Sequence, residues 1–472
     1  MIIDVVRARS ALVCSLLIFA QIGLSQRVRA EAVISPGTSP SVPEDIGKEI
    51  RFAVEKYKLA NGLTVVLHED HSAPIITYQT WFKVGSKYEE PSYTGIAHLF
   101  EHMMFKGAKR YTGEQFDTVL QANGATNNAF TTQDYTGYYE NLPSSKVELV
   151  MDIESDRMVN LQITPDNLQS EKQVVKEERR FRVDNSPMGV LREALYTTAF
   201  KVHPYSWPVI GYMEDIDHIS LEKANEFYHT YYAPNNATLV IAGDFDTSHV
   251  KTLINKYYGG ISAQIIPNKA IPAEPVQMGA RTASVERDVQ STEFSVAYHT
   301  PKAGADESYA LDLLAQIIGF GPSSRLHQRL VYKDQAALAA DASNYTLQDS
   351  GLFQIFVSLK PRNTGAKAQK AVFGEIWRTR NVLVTPAELQ KAKNQVMKGY
   401  VDSLKTVHGK GEALALNETL FSDYERLFTD LDHYNKITAE QIRQAANKYL
   451  GAEKSTVVYL RPRKATQGQA HQ

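Results

Sequence analysis

An internal repeat constrains the fold of this chain more than any other feature of its sequence. The segment "ISLEKANEFYHTYYAPNNATLVIA" from Ile219 aligns without a gap with "ITAEQIRQAANKYLGAEKSTVVYL" from Ile437, at an offset of 218 (437 minus 219). Each copy reads as a Ser or Thr cap, an amphipathic helix, a turn and a β-branched strand. The repeat predicts two similar halves, each with its own core. Because few positions are identical, two unrelated helix-strand units are the alternative.

The length and a proline-rich segment support the same division. A chain of 472 residues exceeds what one hydrophobic core usually serves. "SAQIIPNKAIPAEPVQMGA" carries three prolines and lacks strong periodicity, as interdomain linkers do. An Asn-Gly hairpin signal at Ala60-Asn61-Gly62 indicates where folded structure begins. We therefore predict the following segments: a flexible leader (31–50), a first domain (51–262), a linker (263–281), a second domain (282–463) and a disordered tail (464–472).

The N-terminal residues are typical of an export signal. Arg7 and Arg9 precede an apolar run over 11–24, and Val28-Arg29-Ala30 has small residues where a signal peptidase reads them. The run is shorter than the ~20 residues a membrane-spanning helix needs, so a retained anchor is the weaker interpretation. We predict a signal peptide over 1–30, export to a bacterial periplasm and no stable membrane insertion.

Cysteine usage and charge exclude several classes of function. The only cysteine, Cys14, lies in the predicted signal, so the mature chain would have no disulfide, no Cys-ligated metal and no Cys nucleophile. Any metal must then be held by His, Asp or Glu. The formal net charge is -2, from 51 basic and 53 acidic residues, which gives no electrostatic basis for binding nucleic acid.

The stretch "HLFEHMMF" carries the strongest chemical signal. On a helix with about 100° per residue, the side chains of His98, Glu101 and His102 project within one arc of roughly 100°. Two imidazoles one turn apart can hold a single zinc ion, and a neighbouring carboxylate can accept a proton from water. A chance match on an amphipathic helix is the alternative, and a third ligand is needed to decide.

Candidates for the third ligand lie in "SEKQVVKEERR". Glu171 and Glu178 are seven residues apart and share one helix face, whereas Glu177 points about 100° away. Spacing does not choose between Glu171 and Glu178. Taken alone, the segment is also typical of a solvated acidic helix face.

Together these residues resemble the insulinase-like (pitrilysin) zinc peptidases, which include the mitochondrial processing peptidases. The family carries an inverted H-x-x-E-H motif, which His98, Glu101 and His102 match. The distal ligand of the family falls on Glu178, and its supporting glutamate falls on Glu171. The resemblance extends from about Arg51 to Pro462, through "GATNNAFTTQDYTGYYENLP", "HPYSWPVIGYMEDI", "YYAPNNATLVIAGDFD" and "GFGPSSRLHQRL".

The resemblance implies a fold and a reaction. The fold would be α+β, with two similar domains that each pack a mostly antiparallel sheet against helices on one face. His98, His102 and Glu178 would bind Zn²⁺, and Glu101 would activate the water that attacks a peptide bond. The strand at Asn128, Ala129 and Phe130 would pair with an extended peptide substrate. On sequence alone, a plain edge strand is the alternative for "NNAFTT".

One departure from the family pattern bears on partners. Single-chain family enzymes use an Arg and a Tyr, seven residues apart in the metal-free half, where alignment places Val331 and Leu338. Neither side chain can donate a hydrogen bond. We therefore predict a heterodimer with a homologous metal-free subunit that supplies the Arg and Tyr. A homodimer that uses Arg325 or Arg329 is one alternative, and a non-catalytic assembly or scaffold subunit is another.

Overall fold

A computed structural model describes residues 50–463 of the chain, except residues 362 and 364. The predicted signal peptide (1–30), nearly all of the predicted leader (31–49) and the predicted tail (464–472) lie outside the described residues. In the described part, no helix combines the length and the apolar character that crossing a bilayer requires.

Each half of the chain contains one β-sheet. The first sheet has six strands in the order β1-β2-β6-β3-β5-β4, and the second has five in the order β7-β11-β8-β10-β9. The strands of the first sheet are β1 (Glu55–Lys58), β2 (Thr64–Glu69), β3 (Ile75–Phe82), β4 (Thr126–Thr131), β5 (Thr136–Pro143) and β6 (Ala237–Gly243). Those of the second are β7 (Arg281–Arg287), β8 (Glu293–Thr300), β9 (Ala337–Tyr345), β10 (Gly351–Leu359) and β11 (Ser455–Pro462).

The helices are divided between the halves in a similar way. In the first half they are α1 (Ile96–Met103), α2 (Gly113–Ala122), α3 (Val147–Asn160), α4 (Pro165–Arg179), α5 (Pro187–Ala199), α6 (Met213–His218), α7 (Leu221–Tyr231) and α8 (Thr247–Tyr258). In the second half they are α9 (Asp306–Gly319), α10 (Gly365–Asn381), α11 (Pro386–Ser403), α12 (Val407–Phe421), α13 (Arg426–Lys436) and α14 (Ala439–Tyr449). Short π-helical turns follow α4 (Arg180–Asp184) and precede β9 (His327–Lys333).

The predicted fold class is confirmed. In each sheet one pair of neighbouring strands is parallel, β2 with β6 and β7 with β11, and the other pairs are antiparallel. The order β2-β6-β3-β5-β4 of the first sheet recurs as β7-β11-β8-β10-β9 in the second, with β1 added at the first sheet's edge. The chain is thus an α+β protein with two similar halves.

The internal repeat is also confirmed, with the register that the sequence indicated. The hydroxyl of Ser220 caps α7 by accepting the N–H of Lys223, and Thr438 caps α14 by accepting the N–H of Gln441. Both helices run for eleven residues and lead into a central strand, β6 or β11. Local sequence therefore encodes the same helix-turn-strand unit twice.

The predicted hairpin at Asn61-Gly62 joins β1 to β2. These strands pair antiparallel from Lys58 opposite Thr64 outward. Gly62 has φ 91°, a left-handed conformation that glycine adopts without steric cost. The described residues between Tyr258 and Arg281 form neither helix nor strand. The domain limits themselves stay a prediction.

Each sheet is covered by helices on both faces, because each half contributes one helix that packs on the sheet of the other half. One face of the first sheet packs on helices of its own half in a core that includes Leu99, Val150 and Ile254. The other face packs on α12 of the second half, through Leu414 and Ala415. Reciprocally, α5 of the first half lies on the second sheet. The resemblance led us to expect helices on one face only, and the structure adds the second layer.

A buried polar cluster also joins the halves. The ammonium group of Lys87 is 3.0 Å from Oδ1 of Asp134 in the first half. It is 2.9 Å from Oδ2 of Asp349 in the second half, and it donates to Oε1 of Gln348 at 2.7 Å. Lys87 and Asp134 are both 2% exposed at the side chain. Because a buried charge is costly without partners, the turn between β9 and β10 completes the environment of Lys87. We call this cluster the Lys87 latch.

Gly411 provides a test of the exchanged packing. A methyl group added there would lie 2.5 Å from Cγ2 of Thr77, on the buried face of β3. We expect Gly411→Ala to destabilise the protein, because overpacking of about 1–3 kcal/mol outweighs the ~1 kcal/mol that alanine gains in a helix. Urea denaturation measures the difference.

Gly399 is the matched control, since it lies in α11, is exposed, and has no neighbouring atom where a methyl would stand. Gly399→Ala should be neutral or stabilising by up to ~1 kcal/mol. Equal stabilisation by both substitutions would mean that α12 does not pack closely on β3.

Candidate metal centre

Helix α1 carries the H-x-x-E-H residues and is anchored at its first turn. The carboxylate of Glu89 accepts the backbone N–H groups of Gly95 at 3.0 Å and Ala97 at 2.9 Å. These N–H groups have no partner within the helix, so the buried carboxylate takes the place of a cap. Lys269 of the predicted linker donates to the carbonyls of Tyr88 and Glu89 at 2.8 and 2.7 Å. Glu89 therefore fixes the start of α1, and Lys269 holds the segment that carries Glu89.

Helix α4 brings the third candidate ligand to α1. It begins at a capping box, in which Thr164 and Asn167 each accept the other's backbone N–H, with Pro165 at its first position. Two turns further along lies Glu171, and two more turns bring Glu178 to the same face, as the sequence predicted. α1 and α4 pack against each other. The packing thus brings Glu178 to His98 and His102, which lie 80 and 76 positions earlier in the sequence (178 minus 98 and 178 minus 102).

Three side chains converge between these helices. Each of His98, His102 and Glu178 offers a ligand atom, and these atoms all lie within 4.8 Å of one another. Nε2 of His102 is 3.1 Å from Oε2 of Glu178, and Nε2 of His98 is 3.8 Å from its Oε1. Within the described residues this is the one such group of three potential metal ligands.

The structure distinguishes between the two glutamates that spacing left open. Oε1 of Glu171 is 2.9 Å from Nδ1 of His102, on the side of the ring away from Glu178. Glu171 also forms an ion pair with Lys106 through its other oxygen. Glu177 is 69% exposed and pairs with Arg180, so it points away as predicted. Glu178 therefore faces the Nε2 atoms of His98 and His102, and Glu171 contacts the opposite side of the His102 ring at Nδ1.

The electrostatics of the cluster suit a cation. Burial disfavours a charged imidazole at His102, but hydrogen bonds with Glu171 and Glu178 outweigh it and raise the pKa of His102 to about 9. Burial also opposes ionisation of Glu178, yet the hydrogen bond with His102 and the charges of His98, His102 and Arg182 lower its pKa to about 2. Burial lowers the pKa of His98, which favours the neutral form that ligates metals. A positive charge is thus favoured at His102, whereas His98 is favoured in its neutral form.

The donor set fits zinc. Two imidazole nitrogens and one carboxylate oxygen match the three protein ligands of catalytic zinc sites. In such sites the ring nitrogen that does not bind the metal commonly donates a hydrogen bond to a carboxylate, and Glu171 is placed to accept one from Nδ1 of His102. Among the ligand groups, the side chains of His98, Glu178 and His102 are 9%, 15% and 20% exposed, so water has limited access.

Glu101 lies beside the cluster on α1. Its Oε2 is 4.0 Å from Nε2 of His98 and accepts the hydroxyl hydrogen of Thr131 at 2.7 Å. Thr131 is the last residue of β4, the strand that carries the predicted substrate-binding residues. The carboxylate is therefore next to the candidate ligands and also tied to that strand.

The three predicted substrate-binding residues occupy different faces of β4. Oδ1 of Asn128 accepts the backbone N–H of Ala129 at 2.8 Å. The side chain of Ala129 faces the core of the first half, whereas the ring of Phe130 packs edge-on against Trp81, 5.0 Å away. β4 is an edge strand, and within the described residues only β5 pairs with it. Its other side is open to pairing, and a substrate role for these residues stays a prediction.

Sequence analysis missed several residues around the cluster. Two of them contact α1 at its first turn or at Glu101, namely Glu89 and Thr131. The other two pair with glutamates of α4: Lys106 with Glu171, and Arg182 with Glu178, where the guanidinium is 2.8 Å from Oε1. The contact of Arg182 with Glu178 could have been predicted from the sequence, because the two residues are four positions apart on a continuing helix. The contacts of Thr131 and Glu89 join different elements, so only the fold reveals them.

The residues relevant to the predicted partner lie in the second half. Leu338 is exposed on β9, and Val331 is half-buried in the π-helical turn. Arg325 forms a two-bond ion pair with Glu388 at 2.7 and 2.9 Å. Arg329 pairs with Asp334 at 2.8 Å. Both arginines are therefore engaged within their own half.

Comparison with known proteins identifies relatives over most of the chain. The family model described as "Insulinase (Peptidase family M16)" matches residues 64–212, which include the metal-ligand cluster. The model described as "Peptidase M16 inactive domain" matches residues 218–396.

Curated relatives and a solved structure agree with these matches. The zinc protease PqqE of Helicobacter pylori is 33% identical over 419 residues, which cover 86% of this chain and 93% of that protein. The uncharacterized zinc protease YmxG of Bacillus subtilis is 25% identical over 401 residues, 84% of this chain and 95% of that protein. The crystal structure of a protease from Helicobacter pylori superimposes with a TM-score of 0.83 at 31% identity, covering 87% of this chain and all of that one.

The support that Glu171 gives to His102 can be tested through metal affinity alone. We expect Glu171→Gln to weaken zinc binding by about tenfold to a hundredfold, because the ring loses its anionic partner. Competition with a chelator of known affinity measures the change. Glu177→Gln, on the exposed face of the same helix, should leave the affinity unchanged. If both variants bind zinc like the wild type, Glu171 does not orient His102.

Proposed function

Since the chain belongs to the insulinase family of M16 peptidases, we propose that it is a zinc-dependent endopeptidase whose metal is held by His98, His102 and Glu178. The convergence of their ligand atoms within 4.8 Å, beside a fourth acidic side chain, is the observation that carries this proposal. The zinc protease relatives in two bacterial species support it.

The proposed chemistry assigns a separate task to each residue. When bound, zinc acts as a Lewis acid that polarises a carbonyl oxygen and makes water acidic enough to attack near neutral pH. Glu101 is the general base that takes the proton from the attacking water and returns it to the departing amine. With the metal bound, Glu171 would keep the Nε2 lone pair of His102 directed at the cluster by accepting the hydrogen on Nδ1.

The proposed substrates are unfolded peptides or small proteins. An extended peptide can add to the open side of β4, along the segment of Asn128, Ala129 and Phe130, through the backbone groups that this side presents, and such bonds do not depend on the peptide's sequence. Folded proteins usually protect their strand edges, so they seldom offer a free strand of this kind. The contact between Thr131 and Glu101 supports this placement, because it brings the strand next to the proposed base.

We also propose that the chain works as the metal-bearing subunit of a heterodimer. Val331 and Leu338 stand where single-chain family enzymes have an Arg and a Tyr. Arg325 is held by Glu388 and Arg329 by Asp334, which counts against either one standing in for the missing Arg in a homodimer. A homologous, metal-free subunit would supply both side chains.

A non-catalytic scaffold role is the second candidate. The match of residues 218–396 to an inactive domain favours it. However, that match does not include the metal-ligand cluster, and a scaffold has no use for carboxylates at 101, 171 and 178 gathered around two imidazoles. Lys106 and Arg182 offset part of the repulsion among these carboxylates, and a metal ion held by the imidazoles and Glu178 would offset the rest. We therefore favour the peptidase.

The proposed location is the periplasm. It rests on the signal-like residues 1–30, which lie outside the described part of the chain.

Glu101→Gln tests the proposed reaction. Glutamine has nearly the same shape but cannot accept the proton, so cleavage of a quenched fluorescent peptide should fall by about 10²–10⁴-fold. Zinc content should stay at the wild-type value, because Glu101 is not a proposed ligand. Glu178→Gln should instead lose zinc, and the neighbouring exposed Glu177→Gln should lose neither zinc nor activity. Wild-type cleavage by Glu101→Gln would rule out the peptidase proposal.

The predicted heterodimer is tested by purification of the chain from its native host. We expect a homologous subunit to copurify, one that has no H-x-x-E-H motif and carries the Arg and Tyr. The chain alone should bind zinc but cleave the peptide slowly, and adding that subunit should restore cleavage. Full activity of a monomer or homodimer would contradict the prediction and leave the zinc site unaffected.

A further inference from the structure

The backbone of β4 alternates between its partner strand and the open side. The N–H of Thr132, just after the strand, donates to the carbonyl of Tyr135 at 2.9 Å and thus points toward β5. Successive residues of a strand direct their backbone groups to opposite sides, so Thr131 and Ala129 direct theirs to the open side. The N–H of Ala129 agrees with this, because it bonds to the side chain of Asn128 and not to β5.

The side chains of the same two residues face α1. Ala129 is buried in the core of the first half, and the Thr131 hydroxyl reaches Oε2 of Glu101 at 2.7 Å. The next residue back, Phe130, has its ring on the opposite face, against Trp81. Thr131 is therefore the residue of β4 whose backbone lies at the open side while its side chain contacts Glu101.

We infer that Thr131 couples peptide binding at β4 to the orientation of Glu101. This inference rests on the proposed peptidase function and adds a residue to it. A peptide that pairs with the backbone of Ala129 and Thr131 fixes the position of Thr131. Because the Thr131 hydroxyl donates to Glu101, the carboxylate is then held in one orientation relative to the paired peptide. Thr131 acts through Glu101 and is a positioning residue.

The free chain already shows how the open side is occupied without substrate. The amide oxygen of Asn128 takes the Ala129 N–H that a peptide carbonyl would otherwise accept. An incoming peptide replaces this local bond, so pairing begins by exchanging one acceptor for another. The exchange leaves the Thr131 side chain in contact with Glu101.

Substitutions at Thr131 test this coupling. Activity is measured on whichever form of the protein cleaves the peptide, the chain alone or the chain with its partner subunit. Thr131→Val keeps the size and the strand preference of threonine but removes the donor. We expect kcat to fall about a hundredfold, as for other misplaced catalytic groups. KM should change little, because the backbone that pairs with the peptide is retained. Thr131→Ser, which restores the hydroxyl, should recover most of kcat.

Two controls separate positioning from a structural defect. Thr126→Val makes the same change at the exposed far end of β4 and should leave kcat unchanged. Zinc affinity and the melting temperature of Thr131→Val should match the wild type. The inference is overturned if Thr131→Val keeps wild-type kcat, if its loss is in KM, or if Thr131→Ser is as slow as Thr131→Val.

Comparing Thr131→Val with Glu101→Gln separates a failure of this inference from a failure of the proposed peptidase function. If Glu101→Gln is inactive while Thr131→Val is fully active, the coupling is wrong and the peptidase proposal stands. If Glu101→Gln cleaves like the wild type, the peptidase proposal itself fails.

Discussion

The packing of α1 on α4 is the interaction on which the rest of this structure depends. It places the carboxylates of Glu101, Glu171 and Glu178 around two imidazoles in a space that is largely shielded from water. Such a cluster is unfavourable by itself, since like charges repel strongly where the dielectric is low. The fold offsets part of this repulsion with positive charge, since Lys106 pairs with Glu171 and Arg182 pairs with Glu178. A divalent cation bound by His98, His102 and Glu178 would add positive charge at the same place, which supports the proposed metal centre.

None of the three candidate ligands in the described part of the chain comes from the second half, but that half contributes to the geometry of the centre. Asp349 and Gln348 complete the Lys87 latch, and Lys87 lies two residues before Glu89, which anchors the first turn of α1. Asp134, the other carboxylate of the latch, lies in the turn that follows β4. The second half thus contacts both segments that flank the proposed reaction site. The exchanged helices α5 and α12 tie the halves together further, since each sheet lacks one of its layers without the other half.

The open side of β4 is the other feature that shapes function. An exposed strand edge invites pairing with another chain, and proteins usually protect such edges. Here the edge is short, and Asn128 occupies one of its backbone donors. In the proposed function this edge is the peptide site, and a peptide paired there would meet Glu101 because α1 lies beside the strand. The proposed binding and the proposed chemistry would then share one short strand, with Thr131 at its end.

The sequence by itself determined the local units of this protein. The caps at Ser220 and Thr438, the Asn-Gly hairpin and the two-turn spacing of Glu171 and Glu178 depend on neighbours within a few residues, and the structure reproduces each of them. The spacing of His98, Glu101 and His102 predicted one face of a helix for the same reason. The resemblance to a family added the fold class and singled out Glu178.

The tertiary structure alone decided how those units support one another. That Glu178 faces the Nε2 atoms while Glu171 lies behind His102 depends on the rotation of α4 against α1, which no local pattern specifies. The Lys87 latch joins residues more than 250 positions apart, and the exchange of α5 and α12 depends on how two finished sheets pack. Helix caps and hairpins are set by short-range sterics and hydrogen bonds, whereas these contacts arise from the packing of surfaces that exist only after the chain has folded.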